Sequence, residues 1–361
     1  MLLEGIFTAA TTPFYPDGRI YYKKLEQNIE HYSRTPVSGI VLLGSTGEAV
    51  MLSDEESREV LRVARDAAAA EKVLLAGVGR ESLVETLRLA EYAAEQAYDA
   101  VLVRTPQFYT PQYSPSKNGD SKNGALGIFT YYRALADRSP LPVVLYNIPK
   151  FTHYDLPVEV IAELAQHPNI VGVKDSSGNV QRIADTVAAT RKAPRREVLV
   201  TPVFAAVTTR MLAEEITPQP NFVSTDVLTG GAAIAIPSLP RVQTMRKKEV
   251  GFQVLNGSAE QLLASQQAGA SGAVLGLAAC APQACQEIYT AWKESDPAVA
   301  AVKQERVVKA SRYVTGELGV PGIKHACDLN GYYGGRPRIP LLPLNAEQQA
   351  EVARVMEDLR S

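Results

Sequence analysis

Cysteine is scarce in this sequence, and charge of one sign does not predominate. The cysteines Cys280, Cys285 and Cys327 are too few in 361 residues for a disulfide framework and wrongly spaced for a zinc site. We therefore expect reduced thiols in a cytoplasmic protein. The 37 basic and 39 acidic residues leave a net charge of −2 and form no basic block. Nothing therefore indicates a nucleic acid or an anionic membrane as a partner.

Long apolar runs are also missing. No stretch reaches the roughly 18 consecutive apolar residues of a membrane-spanning helix. The first residues have neither the basic cluster nor the apolar core of a secretory signal. The histidines lie far apart and lack the spacing of metal ligands; they are His31, His153, His167 and His325. The sequence therefore predicts a protein without a membrane span and without a metal site.

Short apolar runs alternate with helical patterns along most of the chain. Strands that start roughly 30 residues apart and are joined by helices are typical of a (β/α)8 TIM barrel. An open doubly wound sheet is the competing architecture, but no Gly-x-Gly-x-x-Gly turn opens the first helix. The predicted strands are Gly5–Thr12, Gly39–Leu43, Val73–Val78, Ala100–Arg104, Pro142–Tyr146, Ile170–Lys174, Phe252–Asn256 and Gly272–Leu277.

Two segments interrupt this alternation of strands and helices. The sixth and seventh predicted strands are separated by about 80 residues, well beyond an ordinary βα unit, which predicts an insertion at about residues 193–250. Because the insertion joins a helix to the next strand, it should lie at the N-terminal end of the barrel, away from the catalytic end. The polar Gly/Ser-rich segment 114–124 should be a mobile loop after the fourth strand.

Helical patterns also shape the rest of the chain. Ser53 and Glu56 have the spacing of a capping box at the start of a helix. Beyond the barrel, apolar residues at helical spacing predict helices at Ala298–Gly316 and Ala346–Leu359. We expect a barrel domain over residues 1–295, with its insertion, and a helical domain over residues 296–361.

Lys174 ends the sixth predicted strand, where a buried run meets a polar cluster that begins with Asp175. Parallel barrels carry their catalytic groups at the C-terminal ends of the strands. Burial disfavours an ammonium, and a neutral amine is a nucleophile that forms a Schiff base with a carbonyl compound. The alternative is a lysine that reaches solvent or is neutralised by Asp175.

Other polar side chains follow neighbouring strands. Ser45 and Thr46 lie between two glycines directly after the second strand, and this composition suits a carboxylate or a phosphate, although a plain tight turn has it too. Tyr146 ends the fifth strand, where its phenol can shuttle a proton or simply be buried with a satisfied hydroxyl. Glu48 is expected to orient its own loop.

Ordered motifs are spread over nearly the whole chain: Thr11-Thr12-Pro13-Phe14, Gly44-Ser45-Thr46-Gly47-Glu48, Leu75-Ala76-Gly77, Tyr146-Asn147-Ile148-Pro149, Gly172-Val173-Lys174-Asp175 and Leu255-Asn256-Gly257-Ser258. Together they resemble the dihydrodipicolinate synthase and N-acetylneuraminate lyase family of pyruvate-dependent class I aldolases. The resemblance implies that Lys174 forms an imine with pyruvate, without a separate cofactor, and that Tyr146 and Thr46 are catalytic too. It implies that Ser45 and Thr46 hold the pyruvate carboxylate and that Gly257 and Val274 line the pocket. It also implies a homodimer or homotetramer.

Within that family, the chain looks most like the 4-hydroxy-2-oxoglutarate aldolase branch, through Gln166–Gly172, Asp175–Gly178 and Gly331–Gly335. The synthase that begins lysine biosynthesis has an arginine for the carboxylate of aspartate semialdehyde where this chain has Phe151. We therefore expect a lyase that cleaves or forms a 4-hydroxy-2-oxo acid, with a compact aldehyde such as glyoxylate as second substrate. The alternatives are the synthase reaction, with Lys150 or Arg104 in place of the arginine, and a keto-acid-binding protein on an inherited barrel.

A second departure from the family pattern concerns a proton relay. The family often has a tyrosine two residues after the Thr-Pro of the fourth strand, contributed across a subunit interface. Phe108 occupies that position here, and Tyr109 follows it. Either Tyr109 takes the role through a shifted loop, or the relay is absent.

Overall fold

Eight parallel strands form a closed barrel in the computed structural model, which describes residues 2–113, 121–200 and 246–359. The barrel strands are β1 (Gly5–Ala9), β2 (Gly39–Leu42), β3 (Val73–Gly77), β4 (Ala100–Arg104), β5 (Val143–Asn147), β6 (Ile170–Asp175), β9 (Gln253–Asn256) and β10 (Gly272–Leu275). Around the barrel they follow the order β1-β10-β9-β6-β5-β4-β3-β2. The predicted (β/α)8 barrel is therefore confirmed, and the open sheet is excluded.

The barrel strands are buried on both faces. Inside the barrel, Phe7, Val41 and Leu102 form one cluster with side chains from all the remaining barrel strands. The residues between them, such as Ile40 and Val101, point outward and pack against the helices. Strands enclosed in this way read as continuous apolar runs rather than as alternating ones, which is why they were visible in the sequence.

Helices follow most of the strands and cover the outside of the barrel. The predicted capping box is present: Ser53 Oγ accepts a hydrogen bond from the Glu56 backbone N–H at 3.1 Å, and the Ser53 N–H donates to the Glu56 carboxylate at 3.0 Å. The helices up to the last barrel helix are Tyr22–Ser33, Asp54–Ala67, Leu83–Glu95, Thr110–Tyr113, Ser121–Arg138, Pro149–Thr152, Val158–Leu164, Val180–Ala189, Leu262–Gln267 and Pro282–Lys293.

Two further strands, β7 (Arg196–Val200) and β8 (Arg246–Val250), pair in an antiparallel ribbon outside the barrel. The Arg196 guanidinium donates to the side-chain oxygen of Gln253 at 3.1 Å. Leu2 packs against both strands of the ribbon. Because Gln253 begins β9 and Leu2 precedes β1, the ribbon lies at the N-terminal end of the barrel, where the insertion was predicted. Residues 201–245, which make up most of that insertion, lie outside the described residues.

Helices continue beyond the barrel. Pro297–Ala310 runs directly into the π-helix Ser311–Glu317, and Val320–Leu329 and Ala346–Val355 follow, with a short 3-10 turn at Glu357–Leu359. The two helices predicted here are thus present, although the first ends in π rather than α geometry. The division into domains at residue 295 stays a prediction. Over the ranges that the structure describes, no helix is both long and apolar enough to cross a bilayer.

The loop predicted at residues 114–124 is wrong at its C-terminal end. The helix Ser121–Arg138 begins inside that segment. Ile128, Tyr132 and Leu135 of this helix are buried in the core, and such packing overrides the weak helical preference of a Ser/Asn/Gly start. Residues 114–120 lie outside the described part of the chain.

Candidate active site

Lys174 and Tyr146 lie side by side at the C-terminal ends of β6 and β5. They are direct partners in the register between the two strands, and each residue is 5% exposed. Lys174 Nζ lies 4.2 Å from the centroid of the Tyr146 ring. The amine is therefore held against an aromatic face and does not reach out to solvent, which was the alternative left open by the sequence.

Ser45 extends this contact to the loop after β2. Its hydroxyl lies 3.3 Å from the phenol oxygen of Tyr146. The loop begins at Leu43 and ends at Glu48, and both residues have a φ of 55°. Left-handed backbone is unfavourable for residues with a Cβ and often occurs at functional sites, where surrounding contacts maintain it. Lys174, Tyr146 and Ser45 thus form one connected group.

A cleft of about 510 Å³ is lined by two members of this group, Ser45 and Tyr146, whereas Lys174 is not among its lining residues. Ser45, Tyr146 and Ile148 contribute to its walls, together with the segment Glu317–Pro321, which begins at the last residue of the π-helix. A cleft of this size accommodates small metabolites, and it lies at the end of the barrel where such sites occur.

Thr46 and Val274 lie on the side of the site formed by β10. A side chain in place of Gly276, just after β10, would come within 3.3 Å of Thr46 Oγ1. Val274 is fully buried and belongs to the same interior cluster as Tyr146. Neither Thr46 nor Val274 is among the residues that line the cleft. Val274 thus lies in the barrel interior, whereas Thr46 is half-buried in the loop after β2, close to the end of β10.

Gly257 stands where two strand ends approach closely. Its N–H donates to the Asp175 carbonyl at 2.7 Å, next to Lys174. A Cβ at Gly257 would overlap the Ser176 side chain, so only glycine fits. Gly257 therefore adjoins the lysine strand, and its backbone rather than a side chain contributes to the site.

Tyr109 does not join this group. It is 59% exposed, and its ring packs edge to face against Phe108, with the centroids 5.1 Å apart. Phe108 is more exposed still, at 75%. A relay role for Tyr109 across a subunit interface stays a prediction.

A buried polar network joins the strand ends just beyond the central pair. Asp175 Oδ2 accepts hydrogen bonds from Arg182 Nε at 2.7 Å and from Asn147 Nδ2 at 3.0 Å. Asn147 and Asp175 follow Tyr146 and Lys174 directly and are partners in the register. Because side chains alternate along a strand, these polar groups lie on the other side of the strands from the barrel interior. The Asp175 carboxylate therefore binds Arg182 and is not the neutralising partner of Lys174. Sequence reasoning missed Arg182.

Sequence reasoning also missed a buried ion pair beneath the Ser45 loop. Lys324 Nζ lies 2.6 Å from Glu48 Oε1, and both side chains are enclosed. Burial lowers the pKa of Lys324, and the negative charge of Glu48 opposes that shift. Glu48 thus anchors its own loop, as expected, but the partner lies far away in the sequence, where no local pattern points to it.

Among the described residues, two cationic side chains line the cleft: Arg104 and Lys150. Arg104 is paired with Glu81 at 2.9 Å. Lys150 Nζ donates to the Gly316 carbonyl at 2.7 Å, at the end of the π-helix. Phe151 lines the cleft as well and is 52% exposed. A neutral carbonyl is a weaker partner than a carboxylate, so Lys150 is the cation better placed to accept an anionic ligand.

Comparison with known proteins identifies the family. The model of the dihydrodipicolinate synthetase family matches residues 2–194 and 233–359. The chain belongs to this family. Membership makes it a lyase of the class I aldolase type. The residues left unmatched between the two ranges fall within the predicted insertion.

Similar curated proteins carry the synthase name. The 4-hydroxy-tetrahydrodipicolinate synthase of Methanothrix thermoacetophila is 27% identical over 355 residues, which are 98% of this chain and 96% of that protein. The enzyme of the same name from Acidiphilium cryptum is 28% identical over 358 residues, 99% of each chain. These relatives support the synthase reaction, which the sequence placed second, better than the 4-hydroxy-2-oxoglutarate aldolase branch, which it placed first and which they do not confirm.

Solved structures support the same fold. Dihydrodipicolinate synthase from Bacillus anthracis aligns with a TM-score of 0.77 and 22% identity over 100% of both chains. A chloride-inhibited dihydrodipicolinate synthase from Acinetobacter baumannii, complexed with pyruvate, aligns with a TM-score of 0.76 and 24% identity over 99% of both chains.

Proposed function

We propose that the protein forms or cleaves a carbon–carbon bond of a 2-oxo acid through an imine between Lys174 and pyruvate. The observation that carries the proposal is the contact of three side chains: Lys174 Nζ against the Tyr146 ring, and the Tyr146 phenol 3.3 Å from the Ser45 hydroxyl. Pyruvate binding by the Acinetobacter baumannii relative supports the choice of keto acid.

In this mechanism, the amine of Lys174 attacks the keto carbon of pyruvate, and water leaves to give an iminium. The iminium withdraws electrons from the methyl carbon, which loses a proton and becomes the nucleophilic carbon of an enamine. That carbon attacks an aldehyde, whose oxygen takes up a proton, and water then hydrolyses the new imine and frees Lys174. Cleavage of a 4-hydroxy-2-oxo acid is the same sequence in reverse. The imine makes a separate cofactor unnecessary.

Tyr146 and the Ser45 loop have separate tasks in this mechanism. Tyr146 carries the protons, because its phenol is buried beside the amine and is oriented by the Ser45 hydroxyl. Ser45 and Thr46, with the N–H groups of the glycine-rich turn, hold the pyruvate carboxylate. Gly257 and Val274 shape the pocket next to the lysine.

For the second substrate, the named relatives favour aspartate semialdehyde, which would make the reaction the synthase step. A long aldehyde of this kind needs a cation for its carboxylate. Lys150 can supply that cation, since its ammonium donates to the Gly316 carbonyl and lies 5.9 Å from the centroid of the Phe151 ring but pairs with no carboxylate of the described residues.

A second candidate reaction is the cleavage of 4-hydroxy-2-oxoglutarate into pyruvate and glyoxylate. The position of Phe151 favours this reaction, because its exposed aromatic ring lines the cleft where the synthase pattern has an arginine. A phenyl ring cannot form the bidentate hydrogen bonds of a guanidinium.

Comparison of two specificity constants separates these reactions. One is measured for the condensation of pyruvate with aspartate semialdehyde, the other for the cleavage of 4-hydroxy-2-oxoglutarate. A larger specificity constant for the condensation assigns the synthase reaction, and a larger specificity constant for the cleavage assigns the aldolase reaction. Phe151→Arg should raise the first relative to the second. A protein that traps pyruvate on Lys174 but turns over neither substrate would support a keto-acid-binding role instead.

Lys150→Met tests the cation at the cleft mouth. Because the variant loses a charge-assisted contact, the KM for a carboxylated aldehyde should rise about ten- to hundredfold, while that for acetaldehyde, which has no carboxylate, should not change. Lys192→Met, a change at an exposed lysine near the opposite end of the barrel, is the control. Equal effects on both aldehydes would show that Lys150 does not recognise the carboxylate.

A further inference from the structure

The loop that carries Ser45 and Thr46 is held by the C-terminal part of the chain. Glu48 ends this loop and is 3% exposed. Its Oε1 lies 2.6 Å from Lys324 Nζ, and its Oε2 accepts a hydrogen bond from the Arg338 backbone N–H at 2.8 Å. Both partners of the carboxylate thus come from the C-terminal region, 290 residues away in the case of Arg338.

Lys324 is a fixed cation. It is 0% exposed, and its ammonium also donates to the Arg336 carbonyl at 3.0 Å and lies 4.3 Å from the centroid of the Phe14 ring. An enclosed ammonium is tolerated only when a counter-charge and hydrogen-bond acceptors surround it. The position of Glu48 is therefore coupled to that of Lys324, since displacement of either would leave a buried charge unpaired.

The segment Gly331–Arg338, which we name the C-terminal strap, holds the same loop from the outside. Gly334 passes so close to the Lys324 carbonyl that a Cβ there would overlap it. This contact explains a glycine of the Gly-Tyr-Tyr-Gly-Gly motif. The Arg338 guanidinium donates to the Glu56 carboxylate at 2.6 Å and to the Met51 carbonyl at 2.6 Å. The strap is thus attached on the C-terminal side of the Ser45 loop.

The loop needs such external support. Leu43 and Glu48 have left-handed backbone conformations at its two ends, which cost free energy for residues with a Cβ. The hydroxyl of Thr12 adds one contact from the barrel side, a hydrogen bond of 2.7 Å to the Gly47 carbonyl. The C-terminal contacts act at Glu48 itself, three residues from Ser45.

We propose that Glu48 and Lys324 are positioning residues: their buried ion pair holds Ser45 and Thr46 in the geometry that binds the keto acid. The inference rests on the proposed function, in which these two hydroxyl residues hold the pyruvate carboxylate. Glu48 borders the cleft, but its two carboxylate oxygens are engaged by Lys324 Nζ and by the Arg338 N–H, so the pair acts through the loop. The C-terminal strap is accordingly part of the pyruvate-binding machinery, although its own residues lie outside the barrel.

The test is the pyruvate concentration that gives half-maximal labelling of Lys174 by borohydride, measured on the full chain. The double variant Glu48→Gln/Lys324→Met removes both charges, so it avoids an unpaired buried ion, and its folding is checked by thermal unfolding. We expect its half-maximal concentration to rise about tenfold, as a loss of about 1.4 kcal/mol of binding free energy would give. Maximal labelling should stay the same, because Lys174 and Tyr146 are unchanged.

Lys72→Met is the matched control. It removes another buried ammonium. Lys72 directly precedes β3, far from the Ser45 loop, and is 4% exposed; its ammonium donates to the carbonyls of Thr35 and Val37. Its half-maximal concentration should equal that of the parent, which separates positioning of the Ser45 loop from the removal of a buried ammonium as such.

A double variant with the parent's half-maximal concentration would overturn the inference and leave the pair a purely structural role. If the double variant does not fold, Glu48→Gln alone, which keeps the size of the side chain, is used with the same expected shift. A parent protein that takes no label on Lys174 would instead refute the proposed function on which the inference rests.

Discussion

At the scale of the residue, neighbours in the sequence have opposite surroundings. Lys174 faces the barrel interior against the Tyr146 ring, whereas the next side chain, Asp175, binds Arg182 and Asn147 on the other side of the strands. The amine therefore sits against an aromatic face while the carboxylate has its own cation. This separation is what a lysine needs if it is to act as a nucleophile.

Tyr146→Phe should separate imine formation from proton transfer. The variant keeps the ring against Lys174 Nζ but loses the hydroxyl that contacts Ser45. Turnover should fall by about 10²–10⁴-fold, the usual contribution of a positioned proton donor or acceptor, while pyruvate is still trapped by borohydride. Steady-state kinetics and trapping on the same preparation measure both effects. Unchanged turnover would remove Tyr146 from the mechanism.

Residues of the site differ in how far the sequence reveals them. That Lys174, Tyr146 and Ser45 lie close together was predictable, because each is at the end of an apolar run and the strand ends of a barrel converge. Lys324 and Arg182 were not, because each has its partner on another element and no local pattern records the contact. Their importance follows from burial and distance, which only the folded chain supplies.

At the scale of the element, the start of β3 is held by the residue that leads into it. Lys72 precedes β3, and its ammonium donates to the carbonyls of Thr35 and Val37 at 2.7 and 2.9 Å. The two bonds tie the start of β3 to the segment before β2. Burial nevertheless lowers the pKa of Lys72 to about 8, and the negative charge of Glu71 opposes that shift.

This pKa predicts a pH dependence of stability. The folded state holds the Lys72 proton less tightly than the unfolded chain, so protonation destabilises the fold; the penalty is full below about pH 8 and disappears as the pH rises to about 10.5. Relative to Lys72→Met, the parent should therefore gain up to about 3 kcal/mol of unfolding free energy between pH 7.5 and 10.5. Denaturant unfolding of both proteins at the two pH values measures this. If the difference in unfolding free energy between the two proteins is the same at both pH values, the hydrogen bonds to the two carbonyls fully offset the cost of burying the ammonium.

Strands were easier to predict than helix starts. The eight barrel strands lie where buried apolar runs predicted them, because a strand enclosed on both faces excludes polar residues over its length. The helix Ser121–Arg138 begins inside the segment that was predicted to be a loop, since its first residues are turn formers and the core contacts of Ile128 and Tyr132 that stabilise it are made at a distance.

At the scale of the whole molecule, the candidate site and the β7–β8 ribbon lie at opposite ends of the barrel. Lys174, Tyr146 and the cleft lie at the C-terminal ends of the strands, and the ribbon of β7 and β8 is attached at the N-terminal end through Arg196 and Leu2. The family model passes over residues 195–232, which include β7, so the barrel of the family is complete without them.

Replacement of residues 201–245 by a short Gly/Ser link should therefore leave pyruvate binding intact. Val200 and Arg246 are paired in the ribbon, so a tight turn can join them. The pyruvate concentration for half-maximal labelling of Lys174 should stay within about a few-fold of the parent value, since the two ribbon strands that flank the replaced residues lie at the end of the barrel opposite the site. A folded deletion variant that no longer binds pyruvate would place the segment in contact with the active site.

Borohydride reduction in the presence of pyruvate, followed by peptide mass analysis, tests the proposed imine most directly. The parent should carry a reduced pyruvate adduct on the peptide that contains Lys174. Lys174→Arg should carry none, because a guanidinium stays protonated and cannot act as the amine nucleophile. An adduct that persists in Lys174→Arg, or that maps to another lysine such as Lys150 in the parent, would contradict the assignment of Lys174 as the Schiff-base residue.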